Sequence, residues 1–218
     1  MKIAITGARG KVAQALIGEL EPAGYDITEL DLPEHDASDL DDLITSTRGH
    51  DALIHFAWKD LNVNTVDPIN RVMYENAYLA AVTNDIDCVI MGSSNHARSH
   101  EELEADGRIR FTGKPETPNN PYGEEKQRME RRGKEFAEQH GLNVIELRIG
   151  NVNPEDHPKP DVPTRWMSHR DLGNLVTRAL EADFGTGHFE VVYGVSEQPL
   201  FDWVNSFGYE PTDSAITA

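Results

Sequence analysis

Short apolar runs alternate with longer amphipathic runs along most of the chain, and this alternation constrains the fold more than any other feature. The runs KIAIT at 2–6 and NVIELRIG at 143–150 are typical of buried strands, whereas 10–22 carries apolar side chains at helical spacing. Strands that alternate with helices form a parallel sheet with helices packed on its faces. The sequence therefore predicts an α/β protein with a Rossmann-type doubly wound parallel sheet.

The same pattern predicts the other elements. Strands are predicted at 2–6, 26–32, 51–58, 87–93, 143–150 and 188–194, and helices at 10–22, 39–49, 65–84, 122–140 and 169–182. Only a minimal extra strand fits between Leu32 and Asp39. A chain of 218 residues suits one domain, predicted over 1–218. The polar segments around 95–121 and 151–218 are expected to form a small substrate-capping region.

The charge balance restricts the partners. The chain has 38 acidic and 20 basic residues, a formal charge of −18, which disfavours nucleic acid and anionic membranes. Acidic, lysine-poor surfaces are typical of proteins from salt-loving organisms.

No apolar run approaches the roughly 18 residues of a membrane helix, and no targeting segment is visible. The single cysteine, Cys88, can form no internal disulfide, so we expect a cytoplasmic protein.

Two glycines lie in the segment TGARGKVA, between the first predicted strand and the first predicted helix. Gly7 would allow a tight turn, and Gly10 would let the backbone approach a phosphate. The amides and the dipole of a helix amino terminus favour anions. This position in the chain predicts a site for the pyrophosphate of a dinucleotide.

Asp31 ends the second predicted strand, where a carboxylate accepts hydrogen bonds from the adenosine ribose hydroxyls. A carboxylate at this place repels a 2′-phosphate, so the predicted cofactor is NAD. Arg9, in the glycine turn, could instead help to hold a 2′-phosphate, which keeps NADP as an alternative.

Tyr122 and Lys126 are four residues apart at the start of a predicted helix, so they share one face. An adjacent ammonium favours the phenolate, and such a pair can remove a proton from an alcohol. The segment GSSNH at 92–96 follows an apolar strand, where parallel sheets bind ligands. Ser94 could hold the substrate oxygen, with Asn95 and His96 lining the pocket. Nothing near His96 completes a metal site, so no metal is predicted.

These motifs, together with LIHFAW, Asn76 and LRIGN, resemble the extended short-chain dehydrogenase/reductase family. The resemblance implies that Ser94, Tyr122 and Lys126 are catalytic and that Asn76 supports the proton relay. The segments SSNH, RIGN, RWMSHRDLGNL and EVVYGVS are similar to uronate dehydrogenases and archaeal NAD-dependent glucose-6-phosphate dehydrogenases, which oxidise a sugar at C1 to a lactone. By the same resemblance, the cofactor site also includes Lys11, Val12, Asp36, Ala57, Trp58 and Ile149.

The chain departs from these relatives at two positions. Trp58 stands where they have a small residue, which would narrow the nicotinamide pocket. Asp161 stands where they carry an arginine that grips the substrate's anionic group, and Arg165 is the candidate substitute. Asn151 would point into the substrate pocket, or it could simply end the strand in a turn.

Three functions remain open from the sequence. The leading hypothesis is an NAD-dependent sugar dehydrogenase with a small-molecule sugar substrate. The alternatives are a nucleotide-sugar epimerase or dehydratase, and a non-catalytic NAD-binding sensor. Packing of the helices predicted at 65–84 and 122–140 between two copies would give a homodimer.

Overall fold

The computed structural model describes residues 1–60 and 62–216. Its centre is a six-stranded sheet in which every strand pairs parallel with its neighbours, in the order β2-β1-β3-β4-β5-β6. The strands are β1 Lys2–Thr6, β2 Asp26–Leu30, β3 Ala52–His55, β4 Cys88–Ser94, β5 Asn143–Ile149 and β6 Phe189–Gly194. The helices are α1 Lys11–Leu20, α2 Leu40–Ser46, α3 Ile69–Thr83, α4 Pro121–His140 and α5 His169–Glu181. The predicted fold class is confirmed.

The strand order reverses at β1, because the chain first moves outward to β2 and then crosses back to β3 on the other side. Ligands of open parallel sheets bind beside the carboxyl ends of the strands at such a reversal. The glycine turn after β1 lies at this point, so the topology supports the predicted cofactor position.

Alternate strand residues face opposite sides of the sheet and build two cores. Ile5, Ile54 and Ile90 pack with α1 and α5, whereas Leu53 and Val89 pack with α2, α3 and α4. All five of these side chains are fully buried, and each burial of this kind stabilises a fold by about 1.5–3 kcal/mol. The continuous apolar runs of the sequence result from this burial on both faces.

Several predicted boundaries shift for local reasons. The helix predicted at 65–84 begins at Ile69, because the Asp67 carboxylate accepts the Ile69 N–H at 3.0 Å and Pro68 precedes the first turn. The strand predicted at 51–58 ends at His55. Segment 31–39 forms turns and no strand.

The predicted polar segments pack against each other beside the sheet. Ile109 of the first forms a bridge with Phe201 of the second, and both side chains are fully buried with Tyr193 and Val195. Each segment also contains a 3₁₀ turn, at Asn95–Ala97 and Pro163–Arg165 respectively. Across residues 1–60 and 62–216, no helix combines the length and the apolar character needed to cross a membrane.

Candidate functional site

The glycine turn after β1 has the geometry that its residues predict. Gly7 has a φ of +67°, and a Cβ there would lie 2.6 Å from the Ala57 backbone nitrogen. Gly10 is the N-cap of α1 and donates its N–H to the Gly7 carbonyl at 2.9 Å. A side chain at Gly7 would push the turn away from the segment after β3. With glycine at both positions, the floor of the cleft consists of backbone atoms.

Asp31 lies beside this turn, directly after β2. Its carboxylate accepts the Arg9 N–H at 2.7 Å and the Leu32 N–H at 2.8 Å. The exposed Arg9 guanidinium bonds the Leu32 carbonyl and pairs with Glu34 at 2.8 Å. Arg9, the residue that could bind a 2′-phosphate, is thus paired with Glu34 at the surface.

A cavity of about 510 Å³ runs from the end of β2, past the glycine turn, to the segment after β3. The lining suits a dinucleotide, because it combines the glycine turn with the carboxylates of Asp31 and Asp36 and with the aromatic rings of Phe56 and Trp58. Six of the predicted cofactor residues line it: Gly7, Gly10, Asp31, Asp36, Ala57 and Trp58.

Lys126 is 4% exposed and lies against Trp58, which lines this cavity. Its Nζ donates to the Gly92 carbonyl at 2.5 Å and lies 3.5 Å from the centre of the Trp58 ring. Burial lowers the pKa of Lys126 to about 7, although the carboxylates of Glu146 and Glu130 oppose the shift. The aromatic face and the carbonyl oxygen partly replace the water that this ammonium has lost.

Tyr122 lies one helical turn before Lys126 on α4, as the spacing predicts. Its ring meets the Trp58 ring edge-on at 5.4 Å, and the Lys126 Nζ is 5.6 Å from its centre. Burial raises the pKa of Tyr122 to about 12, and a hydrogen bond with Ser94 opposes the rise. The spacing predicts that the ammonium lowers this pKa, but the Lys126 Nζ contacts Gly92 and Trp58 instead, and burial raises the pKa of Tyr122.

His96 lies beside Tyr122, with 6.1 Å between the ring centres. The Asn120 side-chain oxygen accepts the Gly123 N–H as the cap of α4, so its amide nitrogen donates to His96 Nδ1 at 2.9 Å. A neutral His96 that accepts at Nδ1 carries its proton on Nε2. Burial also lowers the pKa of His96, which favours this neutral donor over a catalytic base.

Three polar groups of the predicted substrate pocket meet at the ends of β4 and β5. The Asn95 side-chain oxygen and the Asn151 side-chain nitrogen are buried without a partner among the described residues. Arg165 is held nearby, because its carbonyl accepts the Asn151 N–H at 2.5 Å. One unpaired acceptor and one unpaired donor therefore lie near the Arg165 backbone in this part of the fold.

The model of the NAD dependent epimerase/dehydratase family matches residues 3–205. The chain belongs to this family. Membership confirms the predicted resemblance, and NAD dependence agrees with the predicted cofactor.

Three relatives of this family member, each 28% identical to it, are sugar dehydrogenases. The NAD-dependent glucose-6-phosphate dehydrogenase of Haloferax volcanii aligns with 98% of this chain and 94% of its own. The L-arabinose 1-dehydrogenase (NAD(P)(+)) of the same organism aligns over 99% and 98%. The uronate dehydrogenase of Pseudomonas syringae pv. tomato aligns over 98% and 82%.

The fold of the family also appears in solved structures. Uronate dehydrogenase from Agrobacterium tumefaciens superposes with a TM-score of 0.83 over 99% of this chain and 85% of its own, at 21% identity. This agreement concerns the fold.

Other predicted residues lie around the cleft without lining it. Asn76 donates its side-chain amide to the Ala37 carbonyl at 3.1 Å, so its observed partner is the loop after β2 and not α4. Lys11 and Val12 form the first turn of α1. Ile149 pairs with Ser94 in the sheet register, and its carbonyl accepts the Asn95 amide at 3.4 Å.

Four residues of this site have no role in the sequence analysis. Asn120 orients His96, and His100 contacts Arg165 at 2.9 Å. Glu130 and Glu146 face Lys126 from α4 and β5. The Asn-Pro pair before Tyr122 is a helix-start signal that could have identified Asn120, whereas the other three depend on packing.

Proposed function

We propose that this protein is an NAD-dependent dehydrogenase that oxidises a sugar at C1 to a lactone. The observation that carries the proposal is that Trp58, which lines the cavity with the glycine turn and Asp31, also contacts Lys126 and Tyr122, and Tyr122 in turn bonds Ser94. Bound NAD supplies the acceptor for the hydride that leaves C1.

In this reaction Tyr122 is the general base. Its phenolic oxygen takes the proton of the C1 hydroxyl, and the Ser94 hydroxyl holds the same oxygen in line. With a pKa of about 12, the buried phenol needs a nearby positive charge to ionise at neutral pH. Lys126 carries that charge when its ammonium turns from the Gly92 carbonyl towards Tyr122 and the nicotinamide ribose.

The polar groups beyond Tyr122 are proposed to hold the sugar ring. His96 donates from Nε2, Asn95 accepts and Asn151 donates, so each bonds a different ring hydroxyl. Residues 95–121 and 151–218 would cap the substrate, consistent with the contact between Ile109 and Phe201 beside the sheet. The whole of 1–218 would act as one domain.

Ser94, Tyr122 and Lys126 would serve an epimerase or dehydratase equally well, since those enzymes use the same proton and hydride transfers. The dehydrogenase is favoured because three full-length relatives are named as sugar dehydrogenases. A non-catalytic sensor is disfavoured because binding alone requires no buried tyrosine and lysine pair.

The test is NADH formation, followed at 340 nm, with glucose, arabinose, glucuronate, galacturonate and glucose-6-phosphate, and with NADP as a parallel acceptor. A dehydrogenase releases NADH with at least one free sugar. Conversion of a nucleotide sugar without net NADH would indicate an epimerase instead. Binding of NAD without turnover of either class would indicate a sensor.

A further inference from the structure

Glu146 is a buried carboxyl group on β5 that the proposed reaction does not use. Its side chain is fully buried and accepts a hydrogen bond from the Tyr78 hydroxyl at 2.6 Å. Among the residues that the structure describes, its Oε2 atom has no hydrogen-bond partner and no cation lies within salt-bridge distance of it. Burying a carboxyl group in this way is costly, so such a group beside a reactive centre is a candidate for a functional role.

The sheet places Glu146 close to Lys126. Glu146 pairs with Met91 in the register of β4 and β5, and Gly92 is the next residue along β4. The Gly92 carbonyl accepts the Lys126 ammonium at 2.5 Å. The Glu146 side chain points towards α4, because its Oε1 would lie 2.6 Å from a Cβ on Gly133. The carboxyl group and the ammonium therefore share the buried space between α4 and the sheet.

Lys126 has no paired charge either. In the described part of the chain, no carboxylate lies within salt-bridge distance of its Nζ. Burial lowers the pKa of Lys126, and Glu146 is the strongest of the charges that oppose this shift. Burial and the charge of Glu130 raise the pKa of Glu146, and the Lys126 ammonium opposes that rise. Each of the two groups thus favours the charged form of the other.

The other carboxylates around this pair each have an arginine partner. Glu130 pairs with Arg148 of β5 at 2.8 Å, and Glu125 pairs with Arg71 of α3 at 3.0 Å. Arg148 also favours the Glu146 carboxylate, but less than Lys126 does. The remaining titratable groups that face the pair are His55 of β3, whose pKa burial lowers to about 3, and Tyr78 and Glu75 of α3, with Glu75 bound to Arg132.

The effect of Glu146 on the reaction would pass through Lys126. Burial raises the pKa of Tyr122 and a hydrogen bond with Ser94 opposes the rise, whereas no direct effect of Glu146 on Tyr122 is resolved. In the proposed function, the Tyr122 phenol ionises when Lys126 supplies a positive charge. A carboxylate that keeps Lys126 protonated would therefore let the phenol ionise at a lower pH.

We propose that Glu146 is a positioning residue that acts as the counter-charge of Lys126 and so sets the pH above which Tyr122 serves as the base. When Glu146 ionises, its carboxylate holds the proton on Lys126, and the ammonium in turn stabilises the Tyr122 phenolate. The inference rests on the proposed function and adds the origin of its pH dependence.

The titration of Lys126 tests this inference without any substrate. In protein labelled with ¹³C at the lysine Cε atoms, the Lys126 resonance is the one that disappears in Lys126→Met. We expect its titration midpoint to fall by about one pH unit or more in Glu146→Gln, because the ammonium loses its counter-charge. Glu146→Asp keeps the carboxyl group and should stay much closer to wild type. Glu138→Gln, which removes an exposed carboxylate from α4, is the matched control.

The pH profile of kcat tests the link to Tyr122. We expect the acid limb of sugar oxidation to move to higher pH by about half a pH unit or more in Glu146→Gln, and to stay near wild type in Glu138→Gln. An unchanged titration of Lys126 in Glu146→Gln would overturn the inference, and so would a changed titration with an unchanged profile of kcat. If no sugar is oxidised, the proposed function fails, whereas the titration still decides whether Glu146 is the counter-charge of Lys126.

Discussion

At the scale of single residues, burial decides the protonation of the candidate catalytic groups. Tyr122 and Lys126 both lose water, and their pKa values move towards the neutral forms, to about 12 and about 7. The sequence predicts that these two residues share a helix face, because spacing alone determines that. The sequence does not predict the direction of the pKa shifts, because these depend on burial in the folded protein and, for Lys126, on the carboxylates of Glu130 and Glu146.

Glu146 provides a test of this buried electrostatic environment through stability. It is fully buried, accepts the Tyr78 hydroxyl at 2.6 Å, and burial raises its pKa to about 8. The folded state therefore keeps this proton after the unfolded chain has released it near the ordinary value of 4.5, and stability falls as pH rises through this window.

Glu146→Gln removes the titration and keeps an acceptor for Tyr78. We expect its free energy of unfolding to improve relative to wild type by a few kcal/mol, an order-of-magnitude figure, between pH 5 and pH 8 in urea titrations. The exposed change Glu138→Gln on α4 is the control and should follow wild type. Parallel profiles for Glu146→Gln and wild type would contradict the assignment.

Trp58 is a second residue-scale test, because its ring covers the Lys126 ammonium at 3.5 Å. If Lys126 binds the nicotinamide ribose, the indole must move when NAD enters. We expect NAD to change the tryptophan fluorescence of wild type and not that of Trp58→Phe. Trp58→Ala should bind NAD about 30-fold more tightly, since a desolvated cation–π contact of about 2 kcal/mol no longer competes. Unchanged fluorescence with unchanged affinity would show that the ring does not move.

At the scale of elements, α4 connects the candidate catalytic residues to the rest of the fold. Asn120 caps it, and Tyr122, Lys126 and Glu130 follow at intervals of four residues along one face. This spacing and most strand and helix centres are predictable from the sequence, because periodicity reports burial. Contacts between loops are not, since Arg165 and His100 are 65 residues apart and nothing local connects them.

The pairing of α4 with β5 gives the prediction at this scale. Arg148 is 1% exposed, donates twice to Glu130 at 2.8 Å, and bonds Glu116 of the 95–121 segment at 2.6 Å. Arg148→Met leaves the buried Glu130 carboxylate without its cation and Glu116 with only the longer contact to Arg98 at 3.4 Å, so we expect the free energy of unfolding to fall by about 3–5 kcal/mol in urea denaturation. Arg170→Met, which breaks an exposed pair with Asp213, is the matched control and should cost far less. Equal effects of the two variants would argue against a buried network.

At the scale of the whole molecule, charge is the dominant property. The excess of 38 acidic over 20 basic residues creates repulsion that salt screens, with a Debye length of about 10 Å at 0.1 M and about 3 Å at 1 M. We expect Tm to rise by roughly 5 °C or more between 0.1 and 2 M KCl, since each kcal/mol shifts Tm by about 2–4 °C at this size. A Tm that stays constant or falls would show that the acidic surface is not adapted to salt.

The proposed oxidation depends on Tyr122 as the general base. The most direct measurement is NADH formation by Tyr122→Phe with the best sugar of the panel, beside the NAD affinity of the same variant. Tyr25→Phe, which removes a hydroxyl that bonds Glu181 far from the cleft, is the control. Because Tyr122→Phe loses the general base, we expect its kcat to fall by about 10²–10⁴-fold while its affinity for NAD stays close to wild type. The activity of Tyr25→Phe should also stay close to wild type. Full activity in Tyr122→Phe would contradict the proposed chemistry.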